Sequence, residues 1–490
     1  MKTRDIVKEA VQKLGYKKLR KAQIQPINDL MDGKDILLIA PTSMGKSAVF
    51  QVPGLAQAKQ KPGSWVLVIE PTLALIHDQV RRLREKGVSA ACLIGENAGN
   101  GDDVLTQVRR GEITFLFTTP EQLQSYRFQT MLVPNHNPWL VVVDEAHCLT
   151  DWGSFHFRPA YRSIGQTIQK MKHRPVVAAM TATAPMRYRI DIVLSLGMKK
   201  PKLHYTSLAK PNLKLVVRDY TLDTSVLDSL PVSKREKKRQ LEKLREKTLQ
   251  NKLKEAVRLI KKYGSGGSVI LYATTRNSVE FVYNNLKEQE ELKGQVVKYH
   301  SGMTAEKKNK VLGKFLSGKK RIIVATSAFG MGIDKEDVRL VLHFELPLSP
   351  VEWYQQIGRA GRDGRDAHVV LFYQEDDIKQ NRAILAGKKT MREIEKLPDT
   401  LQSIALDEIQ TSVCKLEALV DLLHQDSCLV QGLLHYLGEW NAPACGCCST
   451  CQRNRKKKGG VRYDRGRTWR SHGRALLAEY GVQCHSKDRR

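Results

Sequence analysis

With 490 residues, 41% of them hydrophobic, the chain exceeds what one ordinary core holds and reads as two or three globular domains. Its 81 Lys and Arg against 51 Asp and Glu give a formal charge of +30, which says nothing about fold but points to a polyanionic partner, nucleic acid before a membrane face. No apolar run of about 18 residues exists to span a bilayer, and the amphipathic start MKTRDIVKEAVQKLGY lacks the core of a signal peptide, so a soluble, intracellular protein is expected.

From about residue 35 to 205, the apolar runs DILLIA, WVLVIE, TFLFTT, LVVVDE and VVAAMT alternate with helical stretches. Strands apolar throughout and separated by helices predict a parallel sheet covered on both faces. The first run leads into APTSMGKSAVF, Ala40 to Phe50. Between a strand and a helix, Thr42, Ser43, Met44, Gly45, Lys46 and Ser47 form a loop whose N–H groups and following helix N-terminus suit phosphates. Lys46 would reach the β- and γ-phosphates of ATP and Ser47 would hold Mg²⁺, although Ala40 stands where the strict pattern has Gly. About 100 residues on, VVVDEAHCLTDWGSFHFRP ends a strand in Asp144 and Glu145. One acid would hold Mg²⁺ and the other, Glu145, would orient the attacking water. Trp152, Phe155 and Phe157 follow closely, either packing a loop or wiring one chemistry to another.

Residues 233–262 carry 13 Lys and Arg against four Glu, a net +9, with Leu249, Leu253, Ala256 and Ile260 at helical spacing. A solvated helical linker or an arm that contacts nucleic acid fits this pattern. A second α/β set follows in SVILYA, GQVVKYH, RIIVAT, RLVLHFE and HVVLFY, carrying SAFGMGIDKED and YQQIGRAGRDGR. Arg359 and Arg362, three apart, share a face if helical and could meet one anion. Of nine cysteines, Cys428, Cys445, Cys447, Cys448 and Cys451 gather near the C-terminus. Cys428, Cys445, Cys448 and Cys451 supply the four thiolates that close a tetrahedral Zn²⁺ site, with an iron–sulfur cluster as the alternative. One ligand is expected from a helix and three from the loop beyond, leaving Cys447 free or reactive. The 39 residues after Cys451 hold 13 Lys and Arg against three acids and read as largely disordered.

GYKKLRKAQ, PTSMGKS, EPTLALIHDQV, TTPEQL, DEAHC, WGSFHFRPAY, MTATA, KPNL, YHSGM, VATSAFGMGID and YQQIGRAGRDG occur in that order over roughly residues 14–451. In these motifs the chain resembles superfamily 2 helicases, specifically the RecQ family of ATP-dependent DNA helicases. The resemblance implies two tandem RecA-like parallel-sheet domains, residues 1–206 and 207–375, the second with a basic helical insertion at about 221–262. A small helical zinc-binding domain, 376–455, and a basic tail, 456–490, would follow. It implies that Gln23 bonds the adenine edge, Tyr16 stacks on the base and Arg20 supports it. It implies that His147, Thr181 and Thr183 link nucleotide to DNA, and that Trp152, Phe155 or Phe157, and Arg158 sense the strand. Base stacking of that kind is worth about 1–3 kcal/mol and tolerates any sequence. Gln355, Arg359 and Arg362 match the last motif, with Arg362 as arginine finger. Movement 3′→5′ in DNA repair or recombination is implied, as are single-stranded and duplex DNA as partners. A monomer is expected, with single-strand-binding or repair proteins nearby, in the cytoplasm of a bacterium or the nucleus of a eukaryote.

Departures from the family pattern are specific. Ser43 and Met44 replace glycines, Lys21-Ala22 replaces Pro-Gly, the aromatic loop is one residue longer, and the linker is longer. Too few residues follow Cys451 for the family's winged helix, so a short form is expected. Two other readings stay open: an RNA helicase of the DEAD/DEAH kind, and a non-catalytic binding or annealing protein with a decayed motor. Ordered Lys46, Asp144, Glu145, Arg359 and Arg362 argue against decay, and the cysteine set argues against the RNA enzyme.

Overall fold

Apolar runs of four to seven residues, rich in β-branched side chains, form two parallel sheets. The computed structural model describes residues 3–41, 44–95, 101–151, 159–223, 233–330, 333, 335–387, 391–392 and 394–458. They divide into two compact units, one up to Ala209 together with Leu437–Glu439, the other comprising the remainder.

In the first unit, strands β1 (Ile36–Ile39), β2 (Val66–Ile69), β3 (Ala90–Leu93), β4 (Phe115–Thr118), β5 (Leu140–Val143), β6 (Val176–Thr181) and β7 (Lys202–Tyr205) line up as β3-β4-β2-β5-β6-β1-β7. All pairings are parallel, with Val143 beside both Ile69 and Ala179, and Ile39 beside Thr181. The central strands are buried on both faces and pack under the helices Lys21–Met31 and Ser47–Gln60. Every strand therefore ends at the same edge, where polar residues that follow β1, β2 and β5 are brought together.

The second unit repeats the scheme with β8 (Leu213–Asp219), β9 (Ser268–Tyr272), β10 (Val296–Tyr299), β11 (Ile322–Ala325), β12 (Val338–His343) and β13 (Ala367–Tyr373), ordered β10-β11-β9-β12-β13-β8. A 31-residue helix, Lys234–Gly264, precedes β9, and Ser233 Oγ caps it by accepting the Glu236 N–H. Leu253, Ala256, Leu259 and Ile260 bury its C-terminal half in the core of the second sheet. Lys252 is buried with them, its ammonium 4.8 Å from the centre of the Phe344 ring. Helices Asp399–His424, Leu429–Tyr436 and Ser449–Lys458 complete the chain's described part. Among the described residues no helix is long and apolar enough to cross a membrane. The expected disorder of the tail falls on residues that, from 459 onward, lie outside the described ones.

Asp377, in the first turn of the helix Glu375–Ala386, accepts the Leu346 N–H at 3.1 Å. Burial pushes its carboxyl up to about 7, opposed by Lys252 and reinforced by Glu345. Because the native group keeps a proton that the unfolded chain releases above about pH 4, stability from this site falls as pH rises from there to about 7. Asp377→Asn cannot ionise. Its melting temperature relative to the parent should therefore rise between about pH 5 and about pH 8; a difference that stays constant over that range would contradict the assignment.

Candidate functional site

The loop after β1 turns into the helix Ser47–Gln60 at Gly45, whose φ of +78° is a conformation glycine adopts without strain. A Cβ there would also sit 3.0 Å from Gln23 Nε2. Gln23 donates to the carbonyls of Met44 and Gly45, both at 3.0 Å, and accepts the Arg20 N–H at 2.8 Å. Thus the residue assigned to adenine by resemblance braces the phosphate loop in this structure. Tyr16 donates to Gln51, Gln51 to Gln79 and Gln79 to Ser47 Oγ, at 3.2, 3.3 and 3.2 Å. This chain of amides runs from the adenine motif to the predicted Mg²⁺ ligand. Gln79 stands in the EPTLALIHDQV stretch and Gln51 in none of the motifs, but the contact between them depends on two helices packing side by side and could not be read from either. Thr42 and Ser43 lie outside the described residues.

Lys46 is buried at 6% exposure and Asp144 at 9%. Burial pushes the Asp144 carboxyl up to about 6; Lys46 opposes this, Glu145 adds to it, and the Glu145 N–H donates to Asp144 Oδ1 at 2.8 Å. Glu145 has φ +48°, a left-handed conformation that a non-glycine residue holds only at a cost of about 1–3 kcal/mol. The sequence reading assigned no role to Glu70. It follows β2 directly, is completely buried, and neither carboxylate oxygen has a hydrogen-bond partner among the described residues. Burial first, then Asp144 and Glu145, push its carboxyl well above the usual range, opposed by Lys46. Such an orphaned buried acid next to a lysine and two further acids is the donor set that a divalent cation with a polyphosphate satisfies.

His147 carries this arrangement onward. Its Nδ1 lies 3.3 Å from Glu145 Oε2 and 3.0 Å from Thr181 Oγ1. Thr181 Oγ1 donates its one proton to the Thr183 carbonyl and accepts the Thr183 N–H, at 3.0 and 3.1 Å, so the contact from His147 must be a ring N–H donated to it. Glu145 is thereby tied through one imidazole to the segment after β6. Trp152, Phe155, Phe157 and Arg158 lie outside the described residues.

In the second unit, Gln355 lies in the last turn of the helix Pro350–Ile357, and Arg359 and Arg362 follow in the turn beyond it. Arg359 is buried at 8% exposure. Gly361, at φ +57°, has the Asn212 amide where a Cβ would project, and Asn212 donates to the carbonyls of Gly361 and Arg365, both at 2.9 Å. Lys210 donates to the Gly358 carbonyl at 2.7 Å. Burial and the guanidinium groups of Arg362 and Arg359 push its ammonium down to about 8. Three cations converge there, a group suited to an anion. The KPNL stretch was visible in the sequence, but the clamp it applies to the arginine turn was not.

The four thiols of Cys428, Cys445, Cys448 and Cys451 lie within 4.8 Å of one another. Cys428 Sγ is 3.5 Å from Cys445 Sγ and 3.8 Å from Cys448 Sγ, close to the edge of about 3.8 Å that a tetrahedron of 2.3 Å Zn–S bonds requires. That spacing suits one ion and leaves no room for a multinuclear iron–sulfur cluster. Backbone N–H groups of Gln431 and Cys445 point at Cys428 Sγ, and those of Cys447 and Cys448 at Cys445 Sγ, as thiolates need. Contrary to the expected split, Cys428 stands just before the helix Leu429–Tyr436, and Cys451 lies in the first turn of the helix Ser449–Lys458. Cys447 offers the cluster its N–H, and its thiol stays outside the four.

The chain matches the DEAD/DEAH box helicase family over residues 20–191, the helicase conserved C-terminal domain over 251–364 and the RecQ zinc-binding family over 375–452. It is 32% identical over 441 residues to the ATP-dependent DNA helicase RecQ of Bacillus subtilis, covering 89% of this chain and 65% of that one. It is 29% identical over 487 residues to the probable ATP-dependent DNA helicase RecS of the same organism, covering 89% of this chain and 90% of that one. The chain thus spans under two thirds of the RecQ relative's length. The fold is shared with a structure of Saccharomyces cerevisiae Dbp5 bound to RNA and ADP BeF3, at a TM-score of 0.56 and 15% identity over 83% of this chain and 91% of that one.

Elemental analysis of purified protein should find about one zinc per chain, and chelation should lower the melting temperature. Cys428→Ser should lose the metal while Cys447→Ser keeps it. Full zinc occupancy in Cys428→Ser, or iron in place of zinc, would contradict this ligand set.

Proposed function

The chain belongs to the RecQ family of DNA helicases, and from that membership we propose that it is an ATP-dependent helicase that moves 3′→5′ on single-stranded DNA and separates duplexes in repair or recombination. One observation carries this reading: buried Lys46 and Asp144, with Glu145, share one sheet edge in a chain that also holds a RecQ-type four-thiol module. Bound ATP supplies the anhydride bond whose hydrolysis drives the cycle.

Lys46 and the N-terminus of the helix Ser47–Gln60 bind the phosphates, while Ser47 and Asp144 hold Mg²⁺. Glu145, fixed by its strained backbone and by His147, orients the attacking water. Tyr16, Arg20 and Gln23 position the base, which requires Gln23 to exchange a carbonyl of the phosphate loop for adenine. Arg359 and Arg362 stabilise the charge that develops during hydrolysis, with Gln355 beside them. His147, Thr181 and Thr183 pass the state of Glu145 to the DNA-sensing loop of Trp152, Phe155, Phe157 and Arg158. The protein works as a monomer on this account, with single-stranded and duplex DNA as its partners.

Strand displacement on 3′-tailed, 5′-tailed and forked substrates of DNA and RNA, with ATP, tests the proposal. Unwinding should require a 3′ DNA tail, and Lys46→Ala should lower DNA-stimulated ATP turnover by about 10²-fold or more. Preference for RNA, or turnover unchanged in Lys46→Ala, would overturn it.

A further inference from the structure

The proposed motor leaves the helix Lys234–Gly264 without a task, although it holds the densest charge in the described part of the chain. Its inward stripe is anchored by Leu253, Ala256 and Ile260, and Arg245 pairs with Asp376 at 2.9 Å. Arg235, Arg239, Lys243 and Lys247, spaced four apart, and Lys254, seven residues further on, are all exposed and make no ion pair among the described residues. Four residues of helix rise about 6 Å, so the row runs about 28 Å as a rigid array of positive charge. Glu242 and Glu246 are the exposed acids of the same turns, with Glu236 partly buried beside them. The buried C-terminal half and the Arg245–Asp376 pair hold the helix against its unit while these cations project from it.

We propose that this row is a docking ridge for the phosphate backbone of duplex DNA, separate from the groups that handle ATP and the single strand. The inference rests on the helicase reading for its choice of partner. Duplex is chosen over single strand because residues 234–262 contain no Phe, Tyr or Trp on which an unpaired base could stack. A duplex presents one phosphate charge per about 1.7 Å of axis, a density that a stiff row of five cations engages without reading sequence. The ridge would hold the duplex while the motor works on its strand.

The test uses the full chain with all five residues changed to Gln, and compares binding of a blunt DNA duplex and of oligo(dT) between about 50 and 200 mM salt. Duplex affinity should fall about tenfold or more at the lower salt. The slope of log affinity against log salt should shrink by about three to five, near 0.9 for each lost contact. Oligo(dT) binding and oligo(dT)-stimulated ATP turnover should stay within about twofold of the parent, which also reports an intact fold. The charge-keeping variant Arg235→Lys with Arg239→Lys should retain the parent's slope. An unchanged duplex slope in the five-fold variant, an equal loss on oligo(dT), or a lost slope in the charge-keeping variant would each overturn the ridge. If the parent itself shows no DNA-stimulated turnover, the helicase reading falls instead, and the two failures are distinguishable.

Discussion

Three carboxyl groups share one end of a parallel sheet, and the first unit is organised around holding them there. β2 and β5 are neighbours in register, so Glu70 and the pair Asp144 and Glu145 emerge side by side. In low dielectric their mutual repulsion and desolvation each favour protonation, which is the direction found for Glu70 and Asp144. Lys46, delivered from the loop after β1, is the countercharge on the same edge. An arrangement so short of positive charge is an incomplete one, matched to a cation brought with its nucleotide.

Strain and hydrogen bonding make that edge directional. The left-handed backbone at Glu145 is an outlier that surrounding structure must enforce, and His147 is the residue next to enforce it. Because Thr181 has only one proton and gives it to Thr183, a shift in Glu145 that reorients the imidazole must also disturb the Thr181–Thr183 turn. The second unit shows a similar economy. Lys210 and Asn212 grip the turn carrying Arg359 and Arg362 through the carbonyls of Gly358, Gly361 and Arg365.

Five strands of each sheet were legible from apolar runs alone, since central strands of parallel sheets are buried on both faces. β3, β7 and β8 were not. AACL has little β-branched character, KLHY is a largely exposed edge strand, and LKLVVRD mixes cations into its run. Lys46, Asp144, Arg359 and the four cysteines could be found because their chemistry imposes local spacing. Glu70 and Gln79 stand in EPTLALIHDQV and Lys210 in KPNL, yet the contacts of these three and of Gln51 could not be read, because each depends on a neighbour that strand order or helix packing supplies. Gln23 shows the converse: its motif was readable, yet its two donors are spent on Met44 and Gly45.

The central claim is that hydrolysis and strand sensing communicate through His147. Steady-state ATP turnover of His147→Ala, with and without saturating oligo(dT), tests it most directly. Turnover without DNA should stay within a few-fold of the parent while stimulation by oligo(dT) is lost, and His147→Asn, which keeps an N–H near Nδ1, should restore part of it. Full stimulation in His147→Ala would contradict the account.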